Sequence, residues 1–271
     1  MKIGVISDLH IDRYKNTTEY IPVFERTLAE VIKDRGVELL IIAGDISNNY
    51  DITTLFIRNV KRLSGIDIYF IPGNHDLWSG GEQTDSYGLL KAYESLPECL
   101  IRSPLTINDE WIIVGHPAWY DYSYASERFS YERLNKRAYY GGTWQDKVNI
   151  DWKMSDPEVS KSFRKVIEKD LLSAGDKKII LVTHVVTHKR FRVPMPHRLF
   201  DYYNAFIGTS DMDDLYEQYN IKYSVMGHVH FRHYIEEADT TYICACLGYK
   251  REWRTDDMSY EINDSLFVFE I

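Results

Sequence analysis

Five apolar runs in this chain each end on residues able to bind a metal ion. MKIGVIS leads into Asp8-Leu9-His10, ELLIIAG into Asp45, and IYFIPG into Asn74-His75-Asp76. KKIILVT leads into His184, and KYSVMG into His228-Val229-His230. Short apolar runs closed by turn residues read as buried strands. In open α/β sheets, ligands bind beyond the carboxyl ends of the strands. Taken singly, Asp-X-His is a weak signal and Gly-Asp is commonly a turn. Gly-Asn-His-Asp suits a turn or helix cap as well as a site, and Gly-His-X-His is the most specific of the set. Unrelated turns do not place one ligand chemistry after five strands, so the joint pattern predicts a metal site built from strand ends.

The spacings agree with that expectation. Asp8 and His10 are two residues apart on a segment read as extended, which turns both side chains one way, and His228 and His230 repeat the geometry. Gly44 and Gly227 allow a sharp turn before a ligand. Mixed imidazole and carboxylate donors suit Mn, Fe, Zn or similar ions better than Ca or Mg. Asp8, His10, Asp45, Asn74, His184, His228 and His230 are too many for one tetrahedral ion and fit two that share a carboxylate.

Between the first three strands lie two helical patterns, EYIPVFERTLAEVIKDRG ending at Gly36 and DITTLFIRNVKRLSG with Asp51 placed to cap it and Gly65 to stop it. This βαβαβ order predicts a parallel sheet covered by helices. LTINDEWIIVG reads as a hairpin around Asn108-Asp109, and PEVSKSFRKVIEKDLLSAG as a helix with Pro157 in its first turn. KKIILVT, IKYSVMG, TTYICACLG and SLFVFEI read as further strands, the last of them without intervening helices, which suggests an antiparallel or mixed second sheet. The expected organisation is one domain over 1–271 with an aromatic-rich insertion at about 77–178 that shapes a substrate pocket.

Charge and cysteine content narrow the setting. With 32 basic against 41 acidic residues, the net charge of -9 provides no overall field for nucleic acid or an anionic membrane. Three cysteines give no even disulfide framework, and Cys244 and Cys246 share one strand face as small core residues. The N-terminus enters a strand at once, and no apolar stretch is long enough to span a membrane. The expectation is a soluble, cytoplasmic chain in a reducing compartment.

Asp8-Leu-His10, Gly44-Asp45, Gly73-Asn-His-Asp76, His184 and Gly227-His-Val-His230 together resemble the five-part signature of the calcineurin-like metallophosphoesterases, across residues 8 to 230. The resemblance implies an α/β fold of two mixed β-sheets packed as a sandwich flanked by helices, with a dinuclear centre at the strand ends. It implies that Asp8, His10, Asp45 and His230 hold one ion and that Asp45, Asn74, His184 and His228 hold the other. Asp45 would bridge them, and Asn74 would bind through its amide oxygen. His184 matches the family position in THVVTH better than His188 does.

The implied activity is metal-dependent hydrolysis of a phosphate ester by a metal-bridging hydroxide, with a small phosphodiester or nucleotide-like compound as substrate. A phosphomonoesterase or pyrophosphohydrolase of the same fold is the alternative. A catalytically silent metal-binding module is the alternative of another class, and the intact ligand set argues against it. GDISNN and GNHD depart from the protein serine/threonine phosphatases, which carry a longer Arg-containing motif after Gly-Asp and a Glu after Gly-Asn-His. His75, not needed as a ligand, would face the leaving oxygen as general acid or charged stabiliser, with Asp76 orienting it and keeping it protonated. His116, with Trp119, follows a further strand and a Gly where the family lines its site. Arg190 and Arg192 sit in a basic stretch after His184 and are candidates for phosphate recognition. His197 and His233 are read as surface residues.

Overall fold

The computed structural model describes residues 1–14, 16–79 and 85–271. In chain order its elements begin with β1 (Lys2–Ile6), α1 (Thr17–Asp34), β2 (Leu39–Ala43), α2 (Tyr50–Ser64), β3 (Asp67–Ile71), α3 (Ser86–Glu94), β4 (Leu105–Thr106) and β5 (Trp111–Gly115). A region of short elements follows: α4 (Tyr131–Leu134), β6 (Ala138–Tyr139), β7 (Gly142–Thr143) and α5 (Asp146–Asn149). Then come α6 (Asp156–Ser173), β8 (Lys178–Val182), α7 (Phe200–Tyr203), α8 (Leu215–Gln218), β9 (Ile221–Met226), β10 (Arg232–Glu237), β11 (Thr240–Ala245), α9 (Met258–Ser265) and β12 (Phe267–Glu270).

Two sheets result. One is four-stranded in the order β12-β1-β2-β3, the other six-stranded in the order β10-β11-β9-β8-β5-β4. β1, β2 and β3 run parallel, as do β5, β8, β9 and β11, while β12, β10 and β4 join antiparallel at the edges. Side chains alternate across each strand, and both faces of both sheets are used. Ile3, Val5, Ile41 and Ile71 of the first sheet meet Ile113, Ile180, Val182, Val225 and Ile243 of the second in one buried layer. On the outer face of the first sheet, Ile6, Leu40, Ile42 and Phe70 pack with Phe24, Leu28, Phe56 and Val60 of α1 and α2. On the outer face of the second, Val114, Ile179 and Leu181 pack with Val159, Phe163, Ile167 and Leu171 of α6. Each fully buried aliphatic or aromatic side chain contributes roughly 1.5–3 kcal/mol, so the strands that carry the site are firmly held. This is the expected helix-flanked sandwich of two mixed sheets.

Several local expectations change. SLFVFEI does not enter the second sheet: β12 pairs with β1, Lys2 opposite Glu270, and α9 precedes it. Asn49, not Asp51, caps α2, its side chain accepting from the Ile52 N–H at 3.0 Å. At α6, Ser155 and Glu158 form a capping box beside Pro157. The Asn108 turn forms as expected, with Oδ1 accepting from the Glu110 and Trp111 amides at 2.9 Å each. Within 77–178, β4 and β5 belong to the six-stranded sheet and α6 covers it, so this stretch also supplies part of the frame. Its aromatic portion, from Trp119 to Trp152, is held together by rings and buried carboxylates. Among the described residues, no helix is long and apolar enough to cross a membrane.

Candidate metal centre

The residues that follow β1, β2, β3, β8 and β9 meet in one buried cluster. Asp8, His10, Asp45, His228 and His230 have left-handed backbones, with φ of 56°, 43°, 55°, 71° and 55°. The extended reading of Asp8-X-His10 and His228-X-His230 is therefore corrected: the side chains are aimed by backbone reversal just after the strand. For a residue with a Cβ this conformation costs about 1–3 kcal/mol and persists only where neighbours enforce it. Here they do. The Asp8 amide donates to the Gly44 carbonyl and the His10 amide to the Asp45 carbonyl, both at 3.0 Å. The His228 amide donates to both Asp8 oxygens at 3.0 and 3.1 Å. Gly73 is required where β3 ends, because a Cβ there would overlap Asp45 Oδ1.

Three groups of side chains bring donor atoms within 4.8 Å of one another: Asp8-His10-His230, His10-Asp45-His75 and Asp45-His184-His228. Asp45 presents one oxygen to each side, Oδ2 lying 3.7 Å from His10 Nε2 and Oδ1 3.3 Å from His184 Nε2. Asn74 Oδ1 completes the second side, 3.0 Å from His184 Nε2 and 2.9 Å from His228 Nδ1. His10 Nε2 and His230 Nε2 lie 3.1 Å apart on the first.

The outward bonds show what faces inward. The second nitrogens of His184 and His228 lie 2.8 Å from the Ala43 carbonyl and 2.9 Å from the Phe206 carbonyl. His230 Nδ1 lies 2.6 Å from Glu252 Oε2. These partners are acceptors only, so each outer nitrogen carries the proton and, in the neutral ring, each inner nitrogen offers a lone pair. With the rings neutral, imidazole lone pairs, an amide oxygen and carboxylates converge without hydrogen between them, an arrangement that a cation satisfies. The residues present thus fit a pair of transition-metal ions.

The charge balance agrees. His10 is held well below the usual imidazole range, chiefly by burial, and His228 is lowered to about 4 by burial and then by His184. His184 goes the other way: burial is the largest single influence and opposes its charge, but the Asp45 carboxylate, Asp8 and the Ala43 carbonyl together raise it to about 10. At pH 7 the carboxylates thus hold a proton on His184, which a metal ion must displace. Metal binding at pH 7 is expected to release about one proton per chain from His184, with a further contribution from His230, which Glu252 and Asp8 raise against burial. The His184 release disappears as pH passes about 10. Calorimetry in buffers of different ionisation enthalpy measures it; no release at pH 7 would contradict this picture.

His75 stands beside the cluster, its ring stacked on Trp78 at 3.8 Å and edge-on to His10 at 4.7 Å. The expected Asp76 partner is corrected. Both Asp76 oxygens are taken by the Gly73, Ile46 and Ser47 amides and the Thr53 hydroxyl, at 2.8 to 3.2 Å. Three amides from the loops after β2 and β3 and the Thr53 hydroxyl of α2 outcompete an adjacent imidazole, and Asp76 ties the two loops to that helix. Burial and then the Asp45 carboxylate raise its carboxyl to about 7, against those hydrogen bonds. His75 Nδ1 instead meets Asn48 Oδ1 at 2.9 Å, and Nε2 lies 3.4 Å from the Tyr249 hydroxyl. Burial lowers the His75 pKa, so a neutral Asn48 does not keep it charged as an Asp partner was expected to.

A cavity of about 930 Å³ opens from Asp45, Asn74, His75, His228 and His230 to the surface. Its walls include the rings of Trp78, Trp144, Phe200, Phe231 and Tyr249, and Arg13, Lys250 and Arg251 stand at its mouth. The expected substrate residues are elsewhere. His116 is fully enclosed, Nδ1 accepting from the Ala118 amide at 3.2 Å and its ring against Phe163, and burial pushes it down to about 3. Trp119 donates to buried Asp156 at 2.9 Å. Arg190 pairs with Glu237 of β10 at 3.3 Å, and neither Arg190 nor Arg192 lines the cavity, because the chain after His184 turns away through Val186 toward Gly208. His188 packs on Tyr242 and His197 accepts from the Leu199 and Phe200 amides, both away from the cluster.

Sequence reasoning missed Asn48, Asp146, Tyr249, Glu252 and the three cations at the mouth. Tyr249 and Glu252 follow a sixth strand end, β11, so the same strand-end rule reaches them. Asp146 follows only the two-residue β7, with no apolar run before it, so no local pattern marks it.

The sequence model described as calcineurin-like phosphoesterase matches residues 1–232. A search of curated proteins finds no match. Among solved structures, phosphopantetheinyl hydrolase from Mycobacterium tuberculosis superposes with a TM-score of 0.73 at 19% identity, covering 93% of this chain and 91% of that one. The protein TT1561 of Thermus thermophilus gives 0.53 at 11% identity, covering 99% and 97%. A dimetal phosphatase from Danio rerio gives 0.50 at 14% identity, covering 90% and 86%. At such identities these likenesses speak for the shared fold.

Proposed function

Because the chain belongs to the calcineurin-like phosphoesterase family, metal-dependent hydrolases of phosphate esters, we propose that it cleaves a small phosphodiester whose phosphate carries an organic arm. The observation that carries this reading is the cavity: about 930 Å³ is far more than a phosphate needs, and most of its wall beyond the cluster is aromatic or aliphatic. Asp8, His10, Asp45 and His230 would hold one ion, and Asp45, Asn74, His184 and His228 the other. Bound there, the ions supply Lewis acidity toward the phosphoryl oxygens and acidify a water.

The chain's own groups supply the rest. The stack on Trp78 and the bond to Asn48 direct His75 Nε2 into the cavity. An anionic phosphoryl group beside Nε2 favours the imidazolium, which donates its proton to the departing oxygen. Trp144, Phe200 and Phe231 exclude water and seat the arm. Arg13, with its guanidinium 5.5 Å above the Trp78 ring, and Lys250 have no carboxylate within 4.0 Å among the described residues. They are positioned to receive substrate charge. The Mycobacterium tuberculosis neighbour is described as a phosphopantetheinyl hydrolase, and a phosphate on a long, largely uncharged arm suits this cavity, so phosphopantetheinyl conjugates belong at the head of a substrate panel.

The test compares metal-loaded protein on bis-p-nitrophenyl phosphate, p-nitrophenyl phosphate, a pyrophosphate and a phosphopantetheinyl conjugate. The diesters should be preferred in kcat/KM; preference for the monoester or the pyrophosphate would overturn the reading. Arg13→Gln should raise KM for an anionic diester by roughly tenfold with little change in kcat, a loss of ~1.4 kcal/mol of binding. A fall in kcat alone would place Arg13 in the chemistry instead.

A further inference from the structure

Asp146 is the one buried carboxylate against the cluster, among the described residues, that neither aims at the metal side nor joins two backbone loops. It is 1% exposed, and each of its oxygens accepts twice. Oδ1 accepts from Asn74 Nδ2 at 2.8 Å and Trp78 Nε1 at 2.7 Å. Oδ2 accepts from the Tyr120 hydroxyl at 3.1 Å and Trp144 Nε1 at 2.9 Å. We propose that Asp146 is the positioning residue that fixes the amide orientation of Asn74, so that its oxygen and not its nitrogen faces His184 and His228.

Donors and acceptors decide which way the amide points. An Asn amide can turn end for end at almost no steric cost, and only hydrogen bonding decides its direction. On its inner side Asn74 meets His184 Nε2 and His228 Nδ1, within 3.0 and 2.9 Å, and protonated imidazole or a cation both call for oxygen there. On its outer side a carboxylate accepts only, so the NH2 must face Asp146. A neutral acceptor would leave the choice weaker, and a donor would reverse it. The same carboxylate anchors Trp78, on which His75 stacks, and Trp144, whose ring lies edge-on to His228 at 5.8 Å. One side chain of the aromatic segment thus sets three members of the site, which couples the shape of the cavity wall to the metal side.

This rests on the reading of Asn74 as a metal ligand, and the test separates the two. Wild-type protein is titrated with Co²⁺ and followed by visible absorption and calorimetry. Two sites in the wild type uphold the ligand reading; a single site would sink that reading and this inference with it. In Asp146→Ala the second site should weaken by roughly 10–100-fold while the first is retained. Asp146→Asn should lose much less: its oxygen can still accept from Asn74 and Trp78 while its NH2 faces the Tyr120 hydroxyl, leaving Trp144 unpaired. A folded Asp146→Ala that binds both ions as the wild type does would overturn the inference.

If Asp146→Ala does not fold, the reciprocal pair decides. Asn74→Asp sets two carboxylates against each other and should weaken the second site. Adding Asp146→Asn places an amide donor opposite the carboxylate introduced by the first substitution and should recover at least tenfold of that affinity. Effects of the two substitutions that merely multiply would show that Asp146 does not act through Asn74.

Discussion

Replacing Asp45 by Asn is expected to lower kcat/KM by on the order of 10³-fold, about 4 kcal/mol of transition-state stabilisation. No other described side chain of the cluster reaches both sides. Its oxygens lie 3.7 Å from His10 Nε2 and 3.3 Å from His184 Nε2, and Oδ1 also accepts from the His75 amide at 2.8 Å. The amide keeps the volume but has one oxygen, so one side must meet an NH2 where a negative oxygen was. A second readout follows. Asp45 is the principal reason that His184 is raised to about 10 against burial, so in Asp45→Asn the His184 imidazole should titrate well below that when no metal is added. Proton release on metal binding at pH 7 should shrink with it. If Asp45→Asn kept wild-type metal stoichiometry and turnover, a shared carboxylate at this position would be wrong.

The second large effect is expected at His75. His75→Ala should lower kcat by about 10²–10⁴-fold, the range for a general acid in proton transfer, with both ions retained. The fall should be steep for an alkyl ester and shallow for a nitrophenyl ester, whose leaving group departs without protonation. His75 also brings a ring nitrogen within 4.8 Å of donor atoms of His10 and Asp45. Loss of one ion from His75→Ala would assign it to the metal and remove the acid role. Because His75 is held by Asn48 and Trp78, Asn48→Ala and Trp78→Phe should each reproduce part of the kcat loss, whereas Asp76→Asn should act through stability. Asp76 accepts four hydrogen bonds that join the loops after β2 and β3 to each other and to α2, and none of them comes from an imidazole.

Apolar runs and helix caps locate β1, β2, β3, β8, β9 and α6, because burial on two faces leaves continuous Ile, Leu and Val. The polar residue just after each run locates the cluster for the same reason: strand direction is fixed locally and sheet order then gathers the ends. What those patterns do not encode is partnering across sequence. That β12 pairs with β1 depends on which edge stays open, not on SLFVFEI. That Asn48 rather than Asp76 meets His75 depends on three loop amides and the Thr53 hydroxyl claiming Asp76 first. Adjacency in GNHD suggested a pair that three-dimensional competition for hydrogen bonds undoes. Arg190 looked like a phosphate contact because it follows His184 closely, yet the backbone turns away within two residues of it, and Glu237 of a strand much later in the chain takes the charge. Asp146, which orders Asn74 and two tryptophans, bears no periodic or motif signal at all.

We propose that these strand ends form a two-ion centre that hydrolyses phosphate esters. The most direct measurement is a titration of chelator-treated protein with Mn²⁺, recording bound metal and hydrolysis of bis-p-nitrophenyl phosphate on the same samples. The account predicts two ions per chain, no turnover before metal is added, and turnover that rises with filling of the second site. Protein saturated with two ions that cleaves no diester, monoester or pyrophosphate, or turnover that survives complete chelation, would contradict it.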